Sequence, residues 1–402
     1  MTKTITFFAV GGLQEPSGIK YIPLGREFVK RGYNVQCLTL HPHLKSLSQR
    51  HINVDGVDVY FVGQMQVLKI NERKYYFNPI QLLWVVFCSV AGMTLKGLAL
   101  KTDVIYCFKP QPINGLAALI VKWVKGKPLL LDTDDYEAGF ETLSGLQKKI
   151  VAFFEDRLPR YAHKVTYNTS FLKQRYVQLG YPENKFVKFQ YSPDETFFNH
   201  FEENAVERLQ QKYSLHKKKV VIYFGALSLR SGHAVDLLID AFRDVHREIP
   251  HAVLLIIGGG EDFDHVREII EPELKDAVHF TGRVAPEEIP SYLHCAHVSV
   301  DPARDTLNNH GRSPWKIFES MVAGVPVVTA DIGDRKEYLD QGTAGIIVRP
   351  DDPQDLARGI MKILLDDQLA QSMSRRCREI MKNYTWSNLV DHLIREIPAL
   401  KT

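Results

Sequence analysis

"GRSPWKIFESMVAGVPVVTADIG", residues Gly311 to Gly333, sets a basic and small-residue cluster in front of an amphipathic helix and an apolar strand behind it. Ser313 and Pro314 suit an N-cap and N1 pair, so the helix is expected to start there and to bury Ile317, Phe318, Met321 and Val322. Lys316 then falls in the first turn, where unpaired backbone N–H groups already attract an anion, and Glu319 follows about one turn deeper.

The same strand–helix alternation extends outward from this unit. Around it, "VVIYFGA", "AVLLIIGG", "VHFTG", "HVSVDP", "VPVVTA" and "AGIIVRP" read as strands separated by stretches of helical length. One of those stretches shows its face plainly, with Val235, Leu238, Ile239, Phe242, Val245 and Ile249 at helical spacing. The first half repeats the pattern in "TITFFAV", "NVQCLTL", "VDVYFV", "DVIYCF", "PLLLD", "KVTYN" and "FVKFQ". Alternating strands and helices imply parallel sheets covered on both faces. The expected fold class is α/β, with two Rossmann-like doubly wound domains facing an interdomain cleft.

Pro193 opens a polar stretch that marks the joint, with a hinge near residues 191–200. The expected domains are 1–195, 196–380, and a C-terminal helix at 381–402 that crosses back to the first domain. A chain of 402 residues with 45% hydrophobic and 24% charged side chains fits this plan. Its five cysteines are scattered with no metal-ligand spacing, and the first apolar run is too short for a signal-peptide core, so a cytoplasmic location is expected.

Charge is unevenly divided. Residues 1–200 carry 25 Lys and Arg against 16 acidic residues, whereas residues 201–402 carry 25 against 31. A basic first half suits an anionic partner, and peripheral contact with an anionic membrane at its inner face is one expectation. Ile80 to Leu95 lacks charge but is shorter than the ~20 apolar residues a spanning helix needs. It is expected to be a buried core helix, with an interfacial helix as the alternative because "KINERKYYFNP" precedes it.

In open parallel sheets a ligand sits beyond the carboxyl ends of the strands. After the first strand come Gly11, Gly12 and Gly18, with a helix expected to start near Gly18; the spacing is not GxGxxG, which disfavours a dinucleotide-dependent oxidoreductase. Gly225, Arg230, Ser231, Gly232 and His233 follow the first strand of the second half, and an arginine at a helix N-terminus calls for an anionic partner. Gly258 to Gly260 and the pair Gly282 and Arg283 follow the next two strands, leaving room for a flat group against the backbone at Gly259. Amides and a cation for a pyrophosphate, with the Glu319 carboxylate for a ribose diol, are what a nucleoside-diphosphate sugar requires.

The order of "FGALSLRSG", "IIGGG", "HFTGRV", "SVDP", "SPWKIFESMVAGVPVVTADIGDRKEYL", "GIIVRPDDPQDLARGI" and "YTW" resembles the retaining glycosyltransferases of the group 1, or family 4, type with the GT-B fold. The resemblance implies a hexosyltransferase. Its nucleotide-sugar donor would be held by the second domain and a sugar or lipid-linked acceptor by the first, with no cofactor, metal or nucleic acid. In the family's glutamate–seven residues–glutamate motif the second acid corresponds to Glu319, on the ribose. The first falls on Gly311, leaving His310, Asn309 or a backbone amide to meet the sugar. Where relatives carry Gly-Arg and Lys-Gly phosphate clamps this chain has Gly225-Ala226 and Ser231-Gly232, so Arg230 and Lys316 are expected to supply the charge. "LLLDTDDYEAGF" places Asp132, Asp134 and Asp135 after a strand, and Asp134 occupies the family's histidine position.

The expected catalytic set is Asp134, Lys316 and Arg230. The expected donor contacts are Gly11, Gly12, Gly225, Gly259, Arg283, His310, Ser313 and Glu319. A nucleotide-sugar epimerase and a catalytically silent nucleotide-sugar-binding protein are the alternatives.

Overall fold

Residues 2–13, 16–70, 73–139, 143–194, 198 and 203–401 are described by the computed structural model of the chain. They divide into two units. Unit 1 comprises Met1–Ala138, Leu143–Gln190 and Trp386–Thr402, and unit 2 comprises Gly139–Thr142 and Tyr191–Thr385. The expected 195/196 boundary and part of the expected hinge lie outside the described residues.

Unit 1 is built on strands β1 (Thr4–Phe8), β2 (Asn34–His41), β3 (His51–Val54), β4 (Val57–Gln64), a hairpin of β5 (Val67–Ile70) and β6 (Arg73–Tyr76), then β7 (Val104–Phe108), β8 (Leu129–Thr133), β9 (Lys164–Tyr167) and β10 (Phe186–Lys188). Its main sheet runs β10-β9-β8-β7-β1-β2-β4-β3, parallel except for β3, which pairs antiparallel with β4. Helices α1 (Pro16–Lys30), α2 (Pro79–Ala99), α3 (Pro112–Lys125), α4 (Gly145–Arg157) and α5 (Ser170–Gln178) connect these strands.

Alternation along β1 separates the two faces. A Cβ on Gly25 of α1 would meet Phe7, whereas one on Gly97 of α2 would meet Phe8. Phe8 heads a core with Met93 of α2, Ile113, Ala117 and Val121 of α3, and the partly buried Phe154 of α4. The C-terminal helix Trp386–Glu396 packs on α1, where Arg31 binds Asp391 at 2.7 Å and the backbone and hydroxyl of Ser387.

Three expectations are corrected in unit 1. The first helix begins at Pro16, and a Cβ on Gly18 would fall 2.1 Å from the Leu13 carbonyl oxygen, so Gly18 serves close packing inside the helix. Strand β3 and the β5–β6 hairpin were absent from the sequence reading because each of these strands is only four residues long. Most consequentially, α2 is not a buried core helix: Ile80, Leu83, Trp84, Phe87 and Leu95 are exposed, and only Ser89, Met93 and Gly97 are buried. Composition alone counted apolar residues on both sides of the helix, whereas the sheet covers one.

Unit 2 continues with strands β11 (Lys219–Phe224), β12 (Ala252–Ile257), β13 (Val278–Gly282), β14 (Val298–Asp301), β15 (Val327–Ala330) and β16 (Gly345–Val348), parallel in the order β13-β12-β11-β14-β15-β16. Its helices are α6 (Glu203–Lys212), α7 (Val235–Glu248), α8 (Phe263–Glu268), α9 (Ile289–His294), α10 (Leu307–Gly311), α11 (Trp315–Ala323), α12 (Arg335–Tyr338), α13 (Pro353–Leu365) and α14 (Asp367–Met381). The expected face of α7 is buried, with Val235, Leu238, Ile239, Phe242 and Val245 in the core.

Each sheet reverses its winding once, at β1/β7 in unit 1 and at β11/β14 in unit 2. Such reversal points open a crevice where adjacent loops leave in opposite directions. Residues after β1, β7, β11 and β14 are therefore placed for function.

Candidate functional site

In unit 2 the site is built around Asp301, the last residue of β14. Its buried carboxylate accepts from Arg335 Nε and Thr329 Oγ1, both at 2.9 Å, and lies 3.5 Å from Lys316 Nζ. Burial pushes this carboxyl up, but Arg335 and Lys316 more than offset it and hold the pKa at about 2. Arg335 is itself buried and also donates to the carbonyls of Asn309 and Ile332. Its charge is thereby committed to structure.

Lys316 is differently placed. Its ammonium sits 4.1 Å from the centroid of the Tyr223 ring, and its Nζ would lie 3.4 Å from a Cβ on Gly225. Burial depresses its pKa to about 8, with Asp301 opposing and Arg312 and Arg335 assisting. Two buried cations, Lys316 in the first turn of α11 and Arg335, share the single carboxylate of Asp301, so the cluster can accept a further anion.

The loop glycines have defined steric roles. Gly225 takes φ +146° and Gly258 φ +135°, and a Cβ on Gly258 would fall 1.9 Å from the Gly225 carbonyl oxygen. The loops after β11 and β12 therefore run backbone against backbone, tied by Gly225 N–H to Ile257 O at 2.9 Å and Leu227 N–H to Gly259 O at 3.2 Å. Arg283 is exposed, and its side chain lies over Gly259, 3.2 Å from the position of a Cβ there.

Helix α11 begins one residue later than expected. Pro314 is the N-cap with no side-chain cap, and Ser313 is not a capping residue; its buried side chain is hydrogen-bonded with Tyr338. Proline has no side-chain oxygen to offer the helix, so its first amides are left to other acceptors. An aromatic cluster fixes the helix: Trp315 stacks on Tyr191 at 4.0 Å, and Phe318 meets Tyr191, Tyr338 and Tyr384. Glu319 is half-buried beside this cluster, and burial raises its pKa to about 7 against the pull of Lys316.

Gly311, at the end of α10, is buried. The side chain of Asn309 donates to Gly232 O and Arg304 O, and Asn308 donates to Ser231 O. The amide oxygens of both are buried without a hydrogen-bond partner. Arg312 also reaches Ser231 O, at 2.6 Å, which stitches the 228–232 loop to α10. His310 pairs with Asp305 at 2.7 Å. Arg230 is exposed in the turn Leu229–Ser231, five residues before α7 starts at Val235.

In unit 1 the loops after β1, β7 and β8 assemble a second charged cluster. The carbonyl of Gly11 accepts from Tyr21 at 2.9 Å and Thr39 at 2.6 Å, and Gly11 and Gly12 are both buried. Lys20 of α1 binds Asp132 at 2.6 Å and Asp134 at 3.4 Å. Lys109, in the left-handed region at φ +62°, reaches Asp134 at 3.2 Å, Asp135 at 2.8 Å and Glu137 at 2.6 Å. Burial pushes the Asp134 carboxyl up, but the two ammonium groups bring it below its ordinary value. It is therefore an anion suited to stabilising positive charge, and a weak proton acceptor.

Sequence reasoning missed Asp301, Arg335, Lys20 and Lys109. "SVDP" contained the first of these, and buried charge at a strand end was the available signal; the lysines lie 112 and 26 positions from Asp132 and Asp135.

A model described as "Glycosyl transferases group 1" matches residues 218–366, and one described as "Glycosyl transferase 4-like domain" matches residues 23–189. The chain belongs to the group 1 glycosyltransferases. Among relatives of this family, a GDP-mannose-dependent alpha-(1-6)-phosphatidylinositol monomannoside mannosyltransferase of Mycobacterium tuberculosis is 26% identical over 57% of this chain and 60% of its own length. A mannosylfructose-phosphate synthase of Agrobacterium fabrum is 26% identical over 56% of this chain and 48% of its own. The chain thus spans about half to three fifths of the length of these curated relatives.

Two solved structures are similar throughout. Sucrose-phosphate synthase from Thermosynechococcus elongatus has a TM-score of 0.76 at 17% identity, covering 99% of each chain. Anabaena HepE in complex with UDP and glucose has 0.72 at 18%, covering 99% of this chain and 100% of its own. At these identities the likeness establishes the GT-B fold.

Proposed function

We propose that this group 1 glycosyltransferase moves a hexose-type unit from a nucleoside-diphosphate sugar to a sugar or lipid-linked acceptor, with retention and without a metal ion. The observation that carries the reading is Lys316, a buried cation in the first turn of α11 beside Gly225, which shares its counter-ion Asp301 with Arg335. Relatives named for GDP-mannose and structures holding UDP agree with a nucleotide-sugar donor.

In this reading the pyrophosphate meets Lys316, the first amides of α11 and the exposed Arg230. Glu319 accepts the ribose hydroxyls, and Gly225, Gly259, Arg283, His310 and Ser313 border the donor. The bond from the anomeric carbon to the diphosphate oxygen breaks as the acceptor oxygen bonds to that carbon. The acceptor proton passes to the departing phosphate oxygen. Cationic donors stabilise the charge that develops on that oxygen. Asp134, kept ionised by Lys20 and Lys109, supports the cationic sugar or orients the acceptor. The two lysines also neutralise the carboxylates of this cluster. Peripheral contact with an anionic membrane through unit 1 would bring a lipid-linked acceptor within reach.

Calorimetry with UDP and GDP, followed by turnover with a panel of their sugars, tests the reading. Lys316→Met should weaken diphosphate binding by about 2 kcal/mol, the scale of a charge-assisted contact, while nucleoside binding changes little. Equal loss for both ligands would move the pyrophosphate elsewhere. Anomeric NMR of the product decides retention. The glycine in place of an acid at 311 favours a second reading, a binding protein without turnover; binding of donor with neither transfer nor hydrolysis would establish it, and interconversion of the sugar would indicate an epimerase.

A further inference from the structure

Helix α2 presents two different apolar sides. Ser89, Met93 and Gly97 are buried against the sheet, and a Cβ on Gly92 would fall 2.2 Å from the Val62 carbonyl oxygen. The helix is thereby fastened to unit 1. Although 21 residues long and apolar enough to cross a bilayer, it could do so only by uncovering Phe8, Leu38 and Leu40 of the core.

The other side is a row that none of the described residues covers. Ile80 is 81% exposed, Trp84 66%, Phe87 64% and Leu95 68%, with Leu83 beside them, at the 3–4-residue spacing of one helical face. Trp84 and Phe87 stack on each other at 5.8 Å. Trp123 and Val124 of α3 are exposed as well, and Leu146, Ile150 and Phe153 form an exposed row on α4. All three helices cover the face of the sheet marked by Phe8, so their outward rows look away on one side of unit 1. Such an extent of apolar surface is rare on a free protein.

Charge selects the occupant. Helices α2, α3 and α4 together carry six Lys and Arg residues against two acids, both on α4, where Glu155 is buried on the amides of Glu137 and Ala138 and Asp156 is paired with Arg175. A second copy docked symmetrically would set this basic surface against itself. An anionic lipid surface takes both features at once: aromatic and aliphatic side chains enter the headgroup boundary while lysine stems reach the phosphates. We propose that the outward faces of α2, α3 and α4 form a docking surface for an anionic bilayer, with Trp84 and Phe87 lodged in its interface. This deepens the membrane contact of the transferase reading, yet vesicle binding needs neither donor nor turnover, so the two fail separately.

Co-sedimentation of the full chain with phosphatidylcholine vesicles, with and without phosphatidylglycerol, tests the surface. Binding is expected only with phosphatidylglycerol, and it should weaken as salt rises from about 0.1 M to about 1 M because the Debye length shortens. The double variant Trp84→Glu/Phe87→Glu should bind about tenfold or more weakly, with an unchanged melting temperature and unchanged UDP or GDP binding. Absence of wild-type binding to the mixed vesicles at low salt overturns the proposal. So does undiminished binding by the double variant. A wild-type dimer that the double variant converts to monomer would assign the face to a second copy instead.

Discussion

Lys316 and Glu319 are three residues apart on α11 and are perturbed in opposite directions by the same burial. Lys316 is lowered from 10.5 to about 8, and Glu319 is raised from 4.5 to about 7. A diphosphate needs the lysine charged, and a ribose diol needs the glutamate ionised, so affinity should peak between about pH 7 and 8 and fall on both sides. In calorimetry across pH, Glu319→Gln should remove the acidic limb and Lys316→Met the alkaline one; a flat profile in the wild type would refute both assignments. The linkage to stability follows the same shifts. Between about 8 and 10.5 the unfolded chain holds the lysine proton that the folded chain has lost, so this group adds stability as pH rises. Between 4.5 and about 7 the folded chain retains the Glu319 proton that the unfolded chain has released, so this group removes stability as pH rises. At the same scale, Gly258→Ala should destabilise unit 2 by ~2 kcal/mol or more in urea titration, since its φ of +135° and a carbonyl 1.9 Å from the added carbon both oppose it.

Elements show where the sequence was legible and where it was not. Periodicity identified the strands of both main sheets except β3, because a fully buried parallel strand is a short apolar run bounded by turn residues. The glycines after β11 and β12 were legible for a related reason: no other residue lets those two loops touch. For α2 the letters gave an apolar helix but not which neighbours would cover it, since that depends on α3 and β4. The pairs Lys20–Asp132 and Arg335–Asp301 carry no local period, and nothing in either segment announces its partner. The Ser313 cap failed because Ser313 binds Tyr338, from another element. The C-terminal helix allows an element-scale prediction: Trp386 is 2% exposed and packs near Phe189, so Trp386→Ala should cost unit 1 about 3–5 kcal/mol, read as a lowered urea midpoint.

Across the whole molecule, the basic character of residues 1–200 and the acidic character of residues 201–402 fall on different units, so one protein offers two electrostatic identities. The family match and the full-length fold likeness account for the two-unit plan, while the exposed rows on α2, α3 and α4 all lie on unit 1.

Unit 1 takes its last segment, Trp386–Thr402, from the far end of the chain. During synthesis, a ribosome that has just delivered Thr385 has therefore supplied all of unit 2 while unit 1 still waits for its final piece. Termination there would strip Phe189 of the ring of Trp386 and Arg31 of its Asp391 partner, opening the interior of unit 1 to water while the second unit is already whole.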